Sequence, residues 1–259
     1  MSVSLAAQVA QMARRSLLQT VRQPALIVPP VVFPLLLMTI NVGGLEAATQ
    51  IPGFPADSYL DFAIAVPFLQ GGLFAMVNAG SALARDVETG FIKRLAMTPM
   101  RRMALLIGLL IGVMTVAFFS AIVYLLAGFA AGMDFKSGAL GIPAIIALGV
   151  LVALAFAGIG AYIGLRSGSG EAVQGIFPLL FVFLFLSSVN LPRNLIEQDW
   201  FRTIATYNPV SYLVEGVRSL IITGWDGEAL ALGFGFAAVI AVAAVTLSAG
   251  ALRTRLIRT

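Results

Sequence analysis

Histidine and cysteine are both absent from this chain of 259 residues. Without cysteine it can form neither a disulfide nor a thiolate nucleophile, and without histidine it lacks the commonest metal ligand and general base. Charged residues are scarce as well, at 11% of the sequence against about 25% in soluble domains. We therefore predict that the chain has no catalytic residue and no metal site of its own.

Hydrophobic residues dominate instead. They make up 59% of the sequence, and the mean hydropathy is +0.98. A single soluble core cannot bury this much apolar surface, so lipid must be the solvent. We predict an all-α integral membrane protein, with one transmembrane domain over residues 1–259 and six spanning helices. The predicted spans are residues 25–44, 62–84, 104–131, 140–165, 172–189 and 229–252.

The segment before the first span, residues 4–23, has the pattern of an amphipathic helix. At 100° per residue its polar side chains share one face, and most of its apolar side chains share the other. The polar face carries Gln8, Gln11, Arg14, Arg15, Gln19 and Arg22. A basic amphipathic helix of this kind lies in the membrane interface. A cytosolic helix packed on a partner is the alternative, but the span that follows at once favours the interface.

The distribution of charge predicts the orientation. With six spans, both termini, residues 85–102 and the loop 166–171 lie on one side of the membrane, where there are twelve cationic residues and three acidic ones. The other side holds four cationic and nine acidic residues. Cytoplasmic loops carry the excess of Lys and Arg, so both termini are predicted to be cytoplasmic.

The six predicted spans contain no Asp, Glu, Lys or Arg. Ion-coupled transporters and proton pumps usually carry such a residue within the membrane, so the sequence argues against that class. It also lacks the GxxxxGK[ST] loop that cradles nucleotide phosphates. If the protein drives uphill transport, the energy must come from another chain, which needs a docking surface on this one.

Residues 85–102, which we call the hairpin, can supply that surface. Seven of these residues are charged, and long apolar segments flank them. Asp86, Glu88 and Thr89 are predicted to cap the start of a short helix. Gly90 permits a turn, and Pro99 ends the helix.

An exposed apolar stripe is predicted on this short helix. It consists of Phe91, Leu95 and Met97, with Lys93 and Arg94 pointing elsewhere. Such a helix can enter a groove on a partner protein. A solvated loop that only enforces the positive-inside topology is the alternative, and the pattern alone leaves both interpretations open.

Two blocks of the sequence resemble a known family. The first has the pattern D-x-E-x-G-F-x-x-R-L-x-x-x-P-x-x-R and consists of Asp86, Glu88, Gly90, Phe91, Arg94, Leu95, Pro99 and Arg101 or Arg102. The second consists of Phe177-Pro178-Leu179, Ser187-Ser188, Pro192, Trp200, Asn208-Pro209-Val210 and Tyr212 to Arg218. In this order, on six spans, the blocks resemble the cytoplasmic loop and the late signature of ABC type 2 permeases. The resemblance is closest to the daunorubicin-resistance-like drug exporter branch.

The resemblance implies a plasma-membrane permease subunit that exports hydrophobic or amphipathic compounds. The chain would bind no cofactor, because a separate ATP-binding cassette subunit would hold ATP and Mg and would dock on the hairpin as a coupling helix. A second permease copy and the lipid bilayer are the other implied partners, and nucleic acid is not one. A lipid or glycan exporter, an importer, and a membrane scaffold or assembly factor are the alternatives.

Five residues at membrane depth are predicted to line the substrate path. They are Asn78, Gln174, Phe177, Phe181 and Phe185. The three phenylalanines recur every four residues and so share one helix face, and polar amides at this depth are expected to hydrogen-bond across helices. Packing against lipid or other helices is the alternative for the phenylalanines.

The stretch 191–228 differs from the spans because polar and apolar residues mix there. We predict a re-entrant or interfacial segment on the outer side. Asn208 and Pro209 are predicted to start a turn and a helix, and Glu215 and Arg218 to form a local ion pair. A role of Glu215 and Arg218 in an outer gate is implied by the resemblance.

Overall fold

The computed structural model describes residues 4–98, 100–101 and 103–257. Over these residues the chain forms helices and no strands, which confirms the predicted all-α class. The α-helices are α1 (Leu5–Val21), α2 (Val28–Leu45), α3 (Tyr59–Ala63), α4 (Val66–Glu88), α5 (Phe91–Ala96), α6 (Met103–Ala130), α7 (Gly141–Ser167), α8 (Gly170–Phe185), α9 (Asp199–Tyr207), α10 (Pro209–Ile222) and α11 (Gly227–Ile257). Short 3₁₀ turns lie at Pro24–Leu26, Glu46–Gln50 and Arg193–Leu195.

Among the described residues, five helical stretches are long and apolar enough to cross a membrane. They are Val28–Gln50, Tyr59–Glu88, Met103–Ala130, Gly141–Ser167 and Gly227–Arg255. The predicted fifth span, residues 172–189, corresponds to α8, an apolar helix of only 16 residues. At 1.5 Å per residue α8 measures about 24 Å, less than the roughly 30 Å of a bilayer core. The predicted count of six spans is therefore not confirmed.

Contacts beyond the two ends of α8 show where it lies in the bundle. It follows a turn in which Gly168 packs against the Val87 side chain at the end of α4. Past its last turn, the carbonyls of Ser188 and Val189 accept hydrogen bonds from Arg218 of α10. α8 thus leads from the end of the bundle that carries the hairpin to the opposite end.

Helices α4 and α7 cross at the centre of the bundle, backbone against backbone. A Cβ at Gly160 would overlap the carbonyl oxygen of Met76, and a Cβ at Gly164 would overlap that of Gly80. Small residues allow helices to approach this closely. Side chains of α4 belong to both apolar core clusters of the protein, so α4 is the helix around which the others pack.

The N-terminal helix α1 packs on α6. Two glycines one turn apart in α6, Gly108 and Gly112, make room for Met12 and Ser16 of α1. The helix predicted at residues 4–23 is present, and its predicted apolar face is buried or half-buried, but Gln8 of the predicted polar face is buried as well. A residue of the predicted polar face therefore serves a contact inside the molecule.

Candidate functional site

Within the hairpin, the chain turns from α4 into α5 at a glycine with a left-handed backbone. α4 continues through Asp86 to Glu88 and is capped by Thr89, whose hydroxyl donates to the Arg85 carbonyl at 2.8 Å. Gly90, with φ of 67°, then precedes α5, in a conformation that glycine adopts readily. Asp86 and Glu88 therefore belong to the last turns of α4. The prediction that Asp86, Glu88 and Thr89 cap the short helix is wrong, since α5 has no side-chain cap.

An arginine of α1 holds the hairpin. Arg15 donates to both carboxylate oxygens of Asp86, at 3.0 Å from Nη1 and 2.6 Å from Nη2. The same guanidinium lies over the ring of Phe91, 4.1 Å from its centroid. Asp86 is buried, and a buried carboxylate needs a partner to remain charged. This contact, which we call the Arg15 clamp, joins α1, α4 and the first residue of α5.

A second contact joins α1 to the far side of the hairpin. The side-chain oxygen of Gln8 accepts a hydrogen bond from the Arg101 backbone N–H at 2.8 Å. Within the hairpin, Arg94 Nη1 donates to the Thr89 carbonyl at 3.0 Å. α1 thus contacts both the beginning and the end of the hairpin. Pro99, another predicted coupling residue, lies outside the described residues.

The apolar stripe predicted on the hairpin mostly faces the bundle. Phe91 and Leu95 are half-buried, and Ile92 between them is buried in the same apolar cluster. Met97 is the one residue of the stripe that is exposed, at 81%. The prediction of a three-residue exposed stripe is therefore wrong. The exposed side chains at this surface include Glu88, Lys93, Arg94, Met97 and Thr98.

The end of α11 lies at the same end of the bundle as the hairpin. Arg255 Nε and Nη2 donate to the carbonyls of Leu165 and Arg166, both at 2.8 Å. These carbonyls belong to the last turn of α7, where helix carbonyls lack partners within the helix. The basic C-terminal segment, the turn between α7 and α8, and the hairpin therefore share one end of the molecule.

The two predicted polar residues of the substrate path differ in their surroundings. Asn78 of α4 donates to the Leu26 carbonyl at 3.1 Å, so its predicted hydrogen bond to a neighbouring element is present. Gln174 of α8 is exposed and makes no hydrogen bond with the described residues. Only Asn78 therefore has the interhelical partner that the sequence leads one to expect.

Phenylalanines of three helices form one cluster. The rings of Phe177 and Phe181 in α8 stack with centroids 5.7 Å apart, and those of Phe181 and Phe185 are 5.1 Å apart. Phe74 of α4 lies 5.6 Å from Phe177 and 5.9 Å from Phe33 of α2. These contacts pack α8 onto α2 and α4. The role of the stripe in a substrate path stays a prediction.

At the opposite end of the bundle, Asn208 connects α8 to α10. Its Oδ1 accepts from the Val210 N–H at 2.9 Å, and its Nδ2 donates to the carbonyls of Phe183 and Leu186 at 2.8 and 3.0 Å. Pro209 takes the first helical position, where no N–H is needed. The predicted helix start at Asn208 and Pro209 is confirmed.

Arg218 is buried, and within the described residues it donates hydrogen bonds only to backbone carbonyls. The guanidinium donates to the carbonyls of Phe62, Ser188 and Val189. It also lies over the Phe62 ring, 3.3 Å from the centroid. One side chain of α10 therefore joins α3 to the segment that follows α8.

Glu215 has partners other than the predicted one. Its carboxylate accepts from the Ser188 hydroxyl at 2.8 Å and forms an ion pair with Arg193. Arg193 also lies over the ring of Tyr212, 4.8 Å from its centroid. Burial by itself lowers the pKa of Arg193, but the charge and hydrogen bond of Glu215, together with Tyr212, outweigh it, so the pKa is raised above its usual value. The predicted ion pair between Glu215 and Arg218 is wrong.

Sequence reasoning missed several residues that hold these sites together. It placed Arg15 and Gln8 only on a polar helix face and gave Ser188 and Arg193 no partner. Their partners are 22 to 93 residues away in the chain, beyond any local spacing. One signal was present: Asp86 is an acid at the end of a long apolar helix, where a cationic partner is expected.

Comparison with known proteins places the chain in a family. Residues 7–222 match the family model of the ABC-2 type transporter, a range that includes most of α1, the hairpin and α10. The chain is also 26% identical over 229 residues to the "Putative transport permease ycf38" of Porphyra purpurea, covering 87% of this chain and 78% of that protein. The match supports a membrane permease rather than a catalytic enzyme. This chain therefore belongs to the ABC-2 type transporter family.

Proposed function

We propose that the chain is the permease subunit of an ATP-driven exporter of hydrophobic or amphipathic compounds, in the drug-exporter branch of its family. Family membership supports a role in transport, and the matched relative is named as a transport permease. The six spans predicted from the sequence carry no charged side chain. A charged, strongly hydrated substrate would find no partner within them.

The observation that carries the proposal is the Arg15 clamp. α4 runs into the hairpin, so a force on the hairpin reaches α4 directly, and it reaches α1 through Arg15 and Gln8. α4 in turn contacts α7 backbone to backbone at Gly160. A partner that moves the hairpin therefore moves the centre of the bundle, as a coupling helix must.

The energy source in this proposal is a separate ATP-binding cassette subunit, which holds ATP and Mg. Met97, the exposed apolar residue of the hairpin, enters a pocket of that subunit. The charged side chains around Met97 set the register of the contact. Asp86 and Phe91 act behind this surface by holding α5 in place through Arg15.

The proposed orientation places both termini and the hairpin in the cytoplasm, with the protein in the plasma membrane. Its support is the charge pattern of the sequence, in which twelve cationic residues accompany three acidic ones on that side. The hydrogen bonds of Arg255 support the grouping, since they hold the end of α11 to the end of α7.

A second copy of the chain completes the transporter in this proposal. α2 and α8 are neighbours through Phe33 and Phe181, and both expose large apolar side chains. The exposed residues are Val28, Val32, Leu36 and Ile40 of α2, and Leu179 and Val182 of α8. Two such surfaces facing each other enclose a path beside the phenylalanine cluster.

Met97→Glu tests the coupling role. The chain is co-expressed with an ATP-binding cassette subunit, and the complex is reconstituted in vesicles to measure ATP hydrolysis and efflux of a hydrophobic cationic dye. We expect at least a roughly tenfold loss of dye-stimulated hydrolysis, because a carboxylate is costly to bury in an apolar pocket. Tyr207→Glu is the matched control, since Tyr207 is 83% exposed at the opposite end.

If the Met97→Glu protein assembles with the ATP-binding subunit and hydrolyses ATP as wild type does, the coupling role is contradicted. Dye accumulation instead of efflux would show an importer. A complex that assembles without hydrolysing ATP would favour a scaffold or assembly factor.

A further inference from the structure

A concavity of about 320 Å³ opens on the exposed face of α1. It is lined by Gln11, Arg14, Arg15, Leu18, Gln19 and Arg22. Three of these six residues are arginines, and no acidic residue lines the concavity. The electrostatic potential in the concavity is therefore positive, which favours an anionic ligand.

Two of the three guanidinium groups have no acidic partner in the part of the chain that the structure describes. Asp86 neutralises Arg15, whereas Arg14 and Arg22 are exposed and form no salt bridge there. Arg14 and Arg22 lie eight residues apart, about 12 Å along the helix axis. A guanidinium fork matches two oxygens of a phosphate group.

Exposed apolar side chains lie beside these charges. Leu18 lines the concavity and is 39% exposed, and Val21 is 66% exposed. Both lie within ten residues of Val28, where the first spanning helix begins. Cations and exposed apolar side chains on one helix, next to a membrane span, match the headgroup and the acyl chains of a lipid. A soluble phosphate compound would leave the apolar side chains in water.

We propose that this concavity binds the phosphate of an anionic phospholipid. Arg14 and Arg22 hold the phosphate oxygens, while Leu18 and Val21 lie against the acyl region. The bound lipid fixes α1 at the bilayer surface, and α1 holds the hairpin through Arg15. The site makes the position of the hairpin depend on lipid composition, whichever compound is transported.

Lipid retention by the full chain tests the proposal. Wild type and variants are reconstituted in vesicles with equal amounts of phosphatidylcholine and phosphatidylglycerol and extracted in mild detergent. Mass spectrometry of the intact protein then counts the phospholipids bound at low and at high salt. We expect wild type to prefer phosphatidylglycerol, and R14Q/R22Q to lose this preference by roughly tenfold, because each cation near an anionic lipid strengthens binding severalfold.

R166Q/R253Q is the matched control, since it removes two exposed cations from the same end of the molecule outside the concavity. It should keep the preference, and R14K/R22K should fall between wild type and R14Q/R22Q, because lysine keeps the charge but not the fork. Thermal unfolding verifies that each variant is folded. Equal phosphatidylglycerol retention in wild type and R14Q/R22Q, or an equal loss in the control, overturns the proposal. The proposal is also overturned if R14Q/R22Q retains the lipid but no longer co-purifies with the ATP-binding subunit, which would assign the concavity to a protein partner.

Discussion

Arg15 and Asp86 are 71 residues apart in the chain, yet they form a two-point ion pair between α1 and α4. Both carboxylate oxygens are engaged by one planar guanidinium, the geometry that makes arginine–carboxylate pairs strong and directional. Asp86 lies four residues before Gly90, where the chain turns into α5. The ion pair therefore fixes the helix end from which the hairpin departs.

Arg15→Gln is expected to loosen the hairpin without unfolding the bundle. It leaves the buried Asp86 carboxylate unpaired and removes the cation from the Phe91 ring, which costs about 1–3 kcal/mol locally. Amide hydrogen exchange should rise in α1 and α5 and stay unchanged in α7. Arg253→Gln is the matched control, because Arg253 is exposed and forms no ion pair within the described residues. Unchanged exchange in α5 of the Arg15→Gln protein would show that the clamp does not hold the hairpin.

Arg218→Met is expected to destabilise the protein strongly. Three backbone carbonyls lose their hydrogen-bond donor in a buried site, at about 1–3 kcal/mol each. The unfolding temperature in detergent should fall sharply, and Arg218→Lys should recover little because an ammonium lacks the guanidinium fork. Arg202→Gln, which breaks an exposed pair with Asp199, should cost only about 0–1 kcal/mol. Equal unfolding temperatures for the Arg218 and Arg202 variants would contradict this role.

Gly160→Ala is expected to force α4 and α7 apart. The added methyl group would overlap the Met76 carbonyl oxygen, and overpacking of this kind costs about 1–3 kcal/mol or more. Gly235→Ala on α11 is the control, because a Cβ there meets nothing within 4 Å and alanine favours helix. Thermal unfolding should therefore shift down for Gly160→Ala and stay level or shift up for Gly235→Ala. The reverse order would show that the helices do not cross at Gly160.

Asn208 substitutions can separate its two roles. Asn208→Ser keeps an N-cap oxygen for α10 but loses the donations to Phe183 and Leu186, whereas Asn208→Ala loses both. We expect stability to fall from wild type to serine to alanine, with about 1 kcal/mol between the last two. Denaturation of the purified protein gives the order. Equal stability of serine and wild type would mean that the bonds to the end of α8 contribute nothing.

Most of the bundle could be predicted because hydrophobicity alone decides where a chain crosses lipid. The predicted spans 104–131 and 140–165 agree with α6 and α7 within two residues. The span predicted at 172–189 does not, although its residues are apolar without interruption from Ile176 to Leu186. There the chain leaves the helix after Phe185, and Asn208 then binds the carbonyls of Phe183 and Leu186. A tertiary contact overrides local pattern in this case.

The predictions for the hairpin and for the charged pair in α10 failed for a related reason. A helix of six residues has less than two turns, so its sequence cannot show which side faces the bundle, and Arg15 from another helix covers Phe91. The three-residue spacing of Glu215 and Arg218 is compatible with a local pair. Partners on other segments engage each of them instead, and no local spacing reports such partners.

The crossing of α4 and α7 has a mechanical consequence. Their contact is made by main-chain atoms. Because main-chain atoms have no rotamers that could absorb a displacement, the two helices move as one rigid unit. Helix α4 has 23 residues, about 35 Å of helix, with the hairpin at one end and α3, which carries the Arg218 partner Phe62, at the other. A slight tilt at one end becomes a displacement of several ångströms at the other. Communication between the two membrane faces would then be a matter of leverage, needing neither a proton relay nor a chain of charges.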